Sequence, residues 1–228
     1  MELQSLLKAN SARFEAVLPR SIQWGSHVVL DMNSEYWHDV ASCSLQELIN
    51  KVARLLQDNE VSLAIGQYAE DRRLLYQRSD LFYDSRTLRS VHLGMDLTVE
   101  QTLPVMAPLG GYVHSFANNN YPGDYGPTII LQHELQGQIF YTLYGHLSPN
   151  SLNNCQPGMW VDQGKHFADL GAPEDNGQWP IHLHFQIIQD LKGWHGGYPG
   201  VVELQRASEE LLNCPNPNLI LQIHHQAN

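Results

Sequence analysis

Two histidines one residue apart stand in an otherwise apolar stretch of the chain. The stretch reads GQWPIHLHFQII, and the pair is His182 and His184. Side chains alternate between the two faces of a β-strand, so these imidazoles should share one face. The opposite face would then be a core face made of Ile181, Leu183, Phe185 and Ile187. A single strand histidine is usually structural, whereas two on one face are candidates for metal binding or catalysis.

A second pair of candidate ligands lies upstream, in SVHLGMDL. His92 and Asp96 are four positions apart, which is one turn of a helix and also an even step along a strand. Either geometry directs both side chains to one point, and Gly94 favours an extended or turn conformation. A neutral imidazole and a carboxylate are suitable zinc ligands, although this spacing is also common by chance.

A third histidine follows a run of aromatic residues in YTLYGHLS. His146 comes directly after Gly145, at the predicted end of a strand. It fits two roles, as a strand-end side chain bonded to the backbone or as a catalytic imidazole at the rim of a sheet. The residue type alone does not choose between them.

In this order, the segments HxxxD, YGHLS and HLHF resemble those of the lysostaphin/LytM-type zinc endopeptidases, which cleave peptide crosslinks of bacterial cell walls. The resemblance covers roughly residues 86–190 and extends to LPVMAPLGGYVHS, DYGPTIILQH and GMWVDQGKHFADLG. It implies the fold of that family, a mainly β, antiparallel sandwich or open barrel called the duplicated hybrid motif.

When the family's site residues are mapped onto this sequence by position, the resemblance implies that His92, Asp96 and His184 bind a zinc ion. It implies that His146 and His182 are the catalytic histidines of a metallopeptidase that hydrolyses a peptide bond with zinc-activated water. No HExxH motif supplies a glutamate base, so a histidine would transfer the proton, and either one could. The expected substrate is a peptide of peptidoglycan or a related short peptide. The alternative is a non-catalytic or regulatory peptide- or wall-binding module that retains the metal site.

Two departures from the family pattern bear on this hypothesis. Gln186 stands where the family's HLHFE ends in glutamate, which we expect to alter the orientation of a ligand rather than to abolish metal binding. The short glycine turn before HLHF is replaced by APEDNGQWP, which should border the site and affect substrate preference. The polar loop ANNNYPGD, residues 117–124, could also border the cleft or be an ordinary hairpin tip.

Other residues of these types have simpler explanations. His133 matches a position that is often histidine in the family, but we expect no direct role in the site for it. His114 also lies on a predicted strand and is not assigned to the site. We expect structural or surface roles for the remaining histidines, which are His27, His38, His166, His195, His224 and His225. Arg86 and Arg89 precede His92 and could meet a substrate carboxylate or belong to a solvated loop.

The elements that must position these residues fall into three predicted regions. Residues 1–85 are mixed α/β, residues 86–200 are short strands that form the peptidase-like core, and residues 201–228 are a tail with one short helix. The clearest helix is SLQELINKVARLLQDNE, with Ser44 and Glu47 as a capping box. Its predicted apolar stripe is Leu45, Ile49, Val52, Leu55 and Leu56. The first region matches no motif, and it could cover the cleft, complete the sheet or bind a partner.

Composition limits the classes of partner. The chain has 228 residues, of which 43% are hydrophobic, and a formal net charge of -11. It can form a packed core, and it lacks the clustered basic residues that nucleic acid requires. No stretch reaches the ~18 apolar residues of a membrane span, and the first residues do not resemble a secretory leader. We therefore expect a cytoplasmic protein, or a periplasmic one if another route exports it.

Overall fold

The computed structural model describes residues 2–77, 79–84 and 87–223, and of Asp84 the backbone alone. The α-helices within these ranges are α1 Leu3–Ala9, α2 Arg20–Gln23, α3 Leu45–Asp58, α4 Arg73–Tyr76, α5 Ala207–Asn213 and α6 Asn218–Leu221. The first strands are β1 Val28–Leu30, β2 Ala64–Gly66, β3 Tyr83–Asp84, β4 Thr87–His92, β5 Met95–Thr98, β6 Pro104–Met106 and β7 Gly111–Asn119. They are followed by β8 Gly126–Leu135, β9 Gln138–Gly145, β10 Trp160–Val161, β11 His166–Asp169, β12 His182–Ile188 and β13 Val201–Glu203. Short 3-10 helices occupy Ser11–Arg13, Glu35–Trp37, Val40–Ser42, Asp80–Phe82, Pro149–Leu152 and Leu204–Arg206.

The main sheet has eight strands in the order β1-β2-β5-β12-β9-β8-β7-β10. Neighbouring strands are antiparallel except β1 and β2, which run parallel. The order is linear, so the sheet formed by the described residues is open and not a closed barrel. The remaining strands form two small sheets, β11-β6 and β13-β4-β3. The predicted mainly β, antiparallel fold is confirmed.

Strand β12 shows the alternation predicted from HLHFQII. Leu183, Phe185 and Ile187 are fully buried in the main core. On the opposite face, His184 and Gln186 are bonded to each other. Strands β5 and β9 pair with the two edges of β12, and residues on both of its faces are buried, so its polar residues need partners inside the protein.

The first region of the chain extends the main sheet. Strand β2 pairs with β5 so that Gly66 lies opposite Asp96, and β1 adds parallel to β2. This region therefore completes the main sheet, and several of its residues also line a pocket. The predicted boundary between residues 85 and 86 lies outside the described residues.

Helix α3 begins at the predicted capping box, in which Ser44 and Glu47 exchange side-chain and backbone hydrogen bonds. Its predicted apolar stripe is partly wrong, because the buried face consists of Leu48, Val52 and Leu56. The side chains of Leu45, Ile49 and Leu55 are only partly buried. Apolar residues cover more than one face of this helix. Its packing partners decide which face is buried, and they belong to a second apolar cluster that includes Leu30, Trp37, Leu75 and Phe82.

The chain after β13 packs back onto the first region. Helix α5 is the predicted short helix, and α6 follows it with Ile220 and Leu221 in the main core. Gln23 Nε2 donates to the Leu221 carbonyl at 2.8 Å. Residues 224–228 of the predicted tail are outside the described ranges. No helix that the structure describes is both long and apolar enough to cross a membrane.

Candidate active site

Three strands bring the candidate metal ligands together. His92 ends β4, Asp96 lies in β5, and His184 lies in β12 directly opposite Asp96. The HxxxD pair therefore spans a turn between two strands and not a helical turn. Gly94 lies in this turn, where a Cβ atom would come 2.5 Å from Cε1 of His184. Glycine is needed here because any side chain would displace the His184 ring.

Hydrogen bonds fix the tautomers of both candidate imidazole ligands. His92 Nδ1 lies 2.9 Å from the Gln67 carbonyl oxygen, which can only accept, so Nδ1 carries the proton. His184 Nε2 lies 2.9 Å from Gln186 Oε1 and donates to it. The other nitrogen of each ring, His92 Nε2 or His184 Nδ1, therefore presents a lone pair.

The three acceptor atoms converge with no donor among them. His92 Nε2 and His184 Nδ1 are 3.1 Å apart, and Asp96 Oδ1 lies 3.3 Å from the first and 3.1 Å from the second. Burial, followed by the charge of Arg72, lowers the pKa of His92 to about 4. In the tautomers set by these hydrogen bonds, three acceptor atoms at this spacing repel one another unless a cation lies among them. His92, Asp96 and His184 could therefore hold a metal ion, and this donor set suits zinc, whose ligands lie roughly 2.0–2.2 Å from the ion.

The second carboxylate oxygen of Asp96 is held by the first region of the chain. Arg72 Nη1 donates to Asp96 Oδ2 at 2.5 Å, and Arg72 Nε donates to Glu70 Oε2 at 2.8 Å. Arg72 Nη2 donates to the Gln67 carbonyl, the same oxygen that accepts from His92. Burial opposes ionisation of Asp96, but the positive charge of Arg72 beside it favours the charged form, and the pKa of that carboxyl lies well below its usual range.

The two candidate catalytic histidines lie side by side next to this cluster. The ring centroids of His146 and His182 are 4.1 Å apart, and that of His146 is 6.4 Å from that of His184. His146 Nδ1 donates to the Asn176 carbonyl at 2.7 Å, and His182 Nδ1 donates to the Pro180 carbonyl at 2.8 Å. Both Nε2 atoms therefore carry a lone pair. Burial, then the neighbouring His182, lowers the pKa of His146 well below its ordinary value, and burial lowers the pKa of His182.

The backbone at His146 has a left-handed conformation, with φ of 62°. This is uncommon outside glycine, and such residues cluster at functional sites. Its N–H donates to the Tyr125 carbonyl at 2.7 Å, and its carbonyl accepts from the Gly171 N–H at 2.9 Å. These bonds hold the residue just beyond the end of β9, as the prediction of a sheet-rim position requires.

All five predicted site residues line one pocket with a volume of about 300 Å³. The loop that contains APEDNGQWP contributes Trp179 and Pro180, as expected. The loop of residues 117–124 contributes Asn119, Gly123 and Asp124. Both loops therefore border the pocket, and the second is more than a hairpin tip.

Three further residues beside the pocket were not found from the sequence. The Tyr125 hydroxyl lies 3.4 Å from His184 Nε2, and burial raises the pKa of this tyrosine well above its usual value. Asn176 is fully buried and orders its own loop, accepting from Trp179 N–H through Oδ1 at 3.0 Å. Tyr125 belongs to DYGPTIILQH and Asn176 to APEDNGQWP, two segments that the sequence analysis had noted, whereas no motif pointed to Arg72.

Gln186 uses both ends of its amide. Oε1 accepts from His184, while Nε2 donates to the Pro199 carbonyl at 3.2 Å and to Cys214 Sγ at 3.3 Å. A glutamate could accept from His184, but in its charged form it could donate to neither neighbour. The glutamine in place of the family's glutamate therefore matches its surroundings in this chain.

The other histidines differ in their surroundings. His133 is buried, with Nδ1 bonded to the Gly110 carbonyl at 3.0 Å and Nε2 2.7 Å from Thr142 Oγ1. His195, expected to be a surface or structural residue, stacks on His114 and reaches the pocket. His166 is exposed and pairs with Asp169. His224, His225 and Arg86 lie outside the described residues.

Arg89 also lines the pocket, and its guanidinium donates to the Leu81 carbonyl. It is a strand residue of β4 rather than part of a solvated loop.

Part of the chain matches a known protein family. Residues 90–199 match the sequence model of peptidase family M23, and the resemblance to lysostaphin/LytM-type peptidases is confirmed. A search of curated proteins finds no match.

Several solved structures are similar to this chain. A zinc-containing peptidase from Vibrio cholerae has 26% sequence identity, with 46% of this chain and 29% of that chain covered and a TM-score of 0.35. The catalytic domain of the antimicrobial peptidase lysostaphin from Staphylococcus simulans has 24% identity, with 51% and 77% covered and a TM-score of 0.37. A prophage-encoded M23 protein from Enterococcus faecalis has 16% identity, with 51% and 92% covered and a TM-score of 0.36. This chain thus spans less than a third of the Vibrio cholerae protein.

Proposed function

We propose that this chain is a zinc-dependent endopeptidase whose metal is held by His92 Nε2, Asp96 Oδ1 and His184 Nδ1. The observation that carries the proposal is the convergence of these three acceptor atoms within 3.3 Å of one another, with no donor among them. The family match over residues 90–199 supports peptidase chemistry. Three protein ligands leave the fourth position of a tetrahedral site open, which is typical of catalytic zinc.

The chemistry that zinc supplies at such a centre is polarisation of a carbonyl group and generation of hydroxide near neutral pH. The protein must still move protons. When a water oxygen bonds to the scissile carbonyl carbon, one water proton has to leave, and the amine nitrogen needs a proton when its bond to carbon breaks. The lone pairs on His146 Nε2 and His182 Nε2 are suited to accept the first proton and return it to the amine.

The Tyr125 hydroxyl can assist at the oxygen of the substrate. Burial raises the pKa of this tyrosine well above its usual value, so the hydroxyl keeps its proton. It lines the same pocket as the two histidines and could donate a hydrogen bond to the negative charge that develops on the carbonyl oxygen.

The substrate class follows from the family, so we propose a peptide crosslink of peptidoglycan or a related short peptide. A binding module that retains the site but does not turn over substrate is the competing function. The neutral, unpaired Nε2 atoms of His146 and His182 favour the enzyme, since metal binding alone does not require them.

The test is hydrolysis of soluble peptidoglycan crosslink peptides and pentaglycine by the zinc-loaded chain, followed by mass spectrometry. We expect cleavage that a chelator abolishes and zinc restores. His146→Ala and His182→Ala should each lower kcat by about 10²- to 10⁴-fold while keeping the zinc content, and the surface variant His166→Ala is the matched control. Peptide binding without cleavage, under every metal condition, would favour the binding module.

A further inference from the structure

The pocket extends beyond the polar site into an apolar half. This half is built mainly by the first region of the chain. Its lining residues there are Leu30, Met32, Leu48, Val52, Leu75 and Phe82. They belong to the second apolar cluster and are each less than 9% exposed.

Backbone pairing holds this apolar wall at a fixed position relative to the candidate ligands. Leu30 ends β1, which pairs with β2, and β2 pairs with β5 so that Gly66 lies opposite Asp96. On the other side, Val201 of β13 pairs with His92 and also lines the pocket. The wall and the polar site therefore belong to one hydrogen-bonded framework.

A short path of contacts connects the two halves. Arg72 bonds to Asp96, and its Nη1 lies 3.5 Å from the Tyr76 hydroxyl. The Tyr76 ring packs against Phe82 with centroids 4.3 Å apart. Trp179, on the loop before β12, packs against the same apolar cluster. An occupant that lies between the site and this wall therefore meets aromatic and aliphatic surfaces.

The charged side chains at the boundary are bonded within the protein, and Arg89 of β4, which also lines the pocket, donates to the Leu81 carbonyl. Arg72 is paired with Asp96 and Glu70. Asp124 Oδ1 accepts from the Tyr125 N–H. Among the described lining residues of the apolar half, the side chains from β1, α3 and α4 carry no charge. A charged side chain that contacts only these uncharged residues would lose its hydration without gaining a partner from them.

We infer that the pocket receives one large apolar side chain of the substrate, aliphatic or aromatic, on a residue next to the scissile bond. The inference rests on the proposed peptidase function and specifies its substrate class. The volume of about 300 Å³ is at the lower end for ligand pockets and suits one side chain with its backbone. Because a leucine or phenylalanine side chain would be buried there, a ligand with either residue should bind about 10- to 150-fold more tightly than the same ligand with glycine.

Binding provides a test that does not depend on turnover. The zinc-loaded full chain is titrated with N-acetyl-leucinamide, N-acetyl-phenylalaninamide and N-acetyl-glycinamide, and dissociation constants are measured by NMR. We expect the two apolar amides to bind at least 10-fold more tightly than the glycine amide. Val52→Phe fills the apolar half and should reduce this preference at least fivefold, whereas Val61→Phe, in the same cluster but not lining the pocket, should keep it.

Cleavage of a mixed peptide library, with products identified by mass spectrometry, gives the second measurement. Enrichment of leucine, methionine, phenylalanine or tyrosine at one position beside the cleaved bond supports the inference. Cleavage with no such enrichment overturns it and leaves the peptidase proposal standing. Equal affinity for the three amides also overturns it. Selective binding of the apolar amides without any cleavage would support the pocket's chemistry and count against the peptidase.

Discussion

His92 Nε2 and His184 Nδ1 face each other at 3.1 Å, although neither atom carries a proton in the neutral ring. The opposite nitrogen of each ring is bonded to an oxygen, from the Gln67 carbonyl and from the Gln186 amide. Partners of this kind orient metal-bound histidines and set their tautomers. These hydrogen bonds therefore keep two lone pairs directed at one point, which is the arrangement that a bound cation requires.

Gly94→Ala should weaken zinc binding by about 10- to 100-fold, as loss of a ligand-orienting contact does elsewhere. The new methyl group would lie 2.5 Å from Cε1 and 2.6 Å from Nε2 of His184, so the ring must move. Competition with a chromogenic chelator measures the affinity. Gly197→Ala is the control, because its nearest contact is the Asn119 side chain at 3.5 Å, an ordinary van der Waals distance. Equal zinc affinity in both variants would show that the turn has room to adjust.

Arg72→Met should destabilise the metal-free protein by about 3–5 kcal/mol, because it leaves the buried carboxylates of Asp96 and Glu70 without their partner. The side chain of Arg72 is 3% exposed. Arg73 is the matched control, because its pair with Asp71 is on the surface and its side chain is 59% exposed. Arg73→Met should change stability by about 0–1 kcal/mol. Urea unfolding of both variants measures the difference, and similar losses would contradict a special role for Arg72.

His133 should make the protein sensitive to acid. Burial lowers its pKa to about 4, although the bond to the Gly110 carbonyl partly opposes the shift. In the unfolded chain a histidine has a pKa of about 6.5, so between these values the unfolded state takes up a proton that the folded state does not. The stabilisation is complete above about pH 6.5 and is lost as the pH falls toward 4, by about 2–3 kcal/mol at pH 4.5.

His133→Gln should flatten this pH dependence by the same amount, measured as the difference in unfolding free energy between pH 7 and pH 4.5 on metal-free protein. His166→Gln, a change at a surface histidine, is the matched control. If His133→Gln kept the full pH dependence of the parent, the acid sensitivity would have to come from other groups.

The HLHF segment shows what the sequence could predict. Strict alternation over residues 181–187 places the histidines opposite the core, because a side-chain period of two leaves no other arrangement. The structure has that arrangement, and it brings His92, Asp96 and His146 to the same pocket. Local pattern and family resemblance together were enough to find these five residues, although their roles stay a proposal.

The contribution of the first region could not be predicted in the same way. Arg72 reaches Asp96 across 24 positions of sequence, and the contact depends on pairing between β2 and β5, which no local pattern specifies. The error in the α3 stripe has a similar cause, because the partners of Leu48 come from distant segments. Sequence periodicity predicts that a helix is amphipathic, but long-range packing decides which of several apolar faces is buried.

The most direct test of the metal centre is the zinc content of the chain, measured by elemental analysis after purification without added metal, beside His184→Ala and the control His133→Ala. We predict about one zinc per chain in the parent and in the control, and little in His184→Ala. No zinc in the parent, even after zinc is offered, would contradict the proposal that His92, Asp96 and His184 form a zinc site.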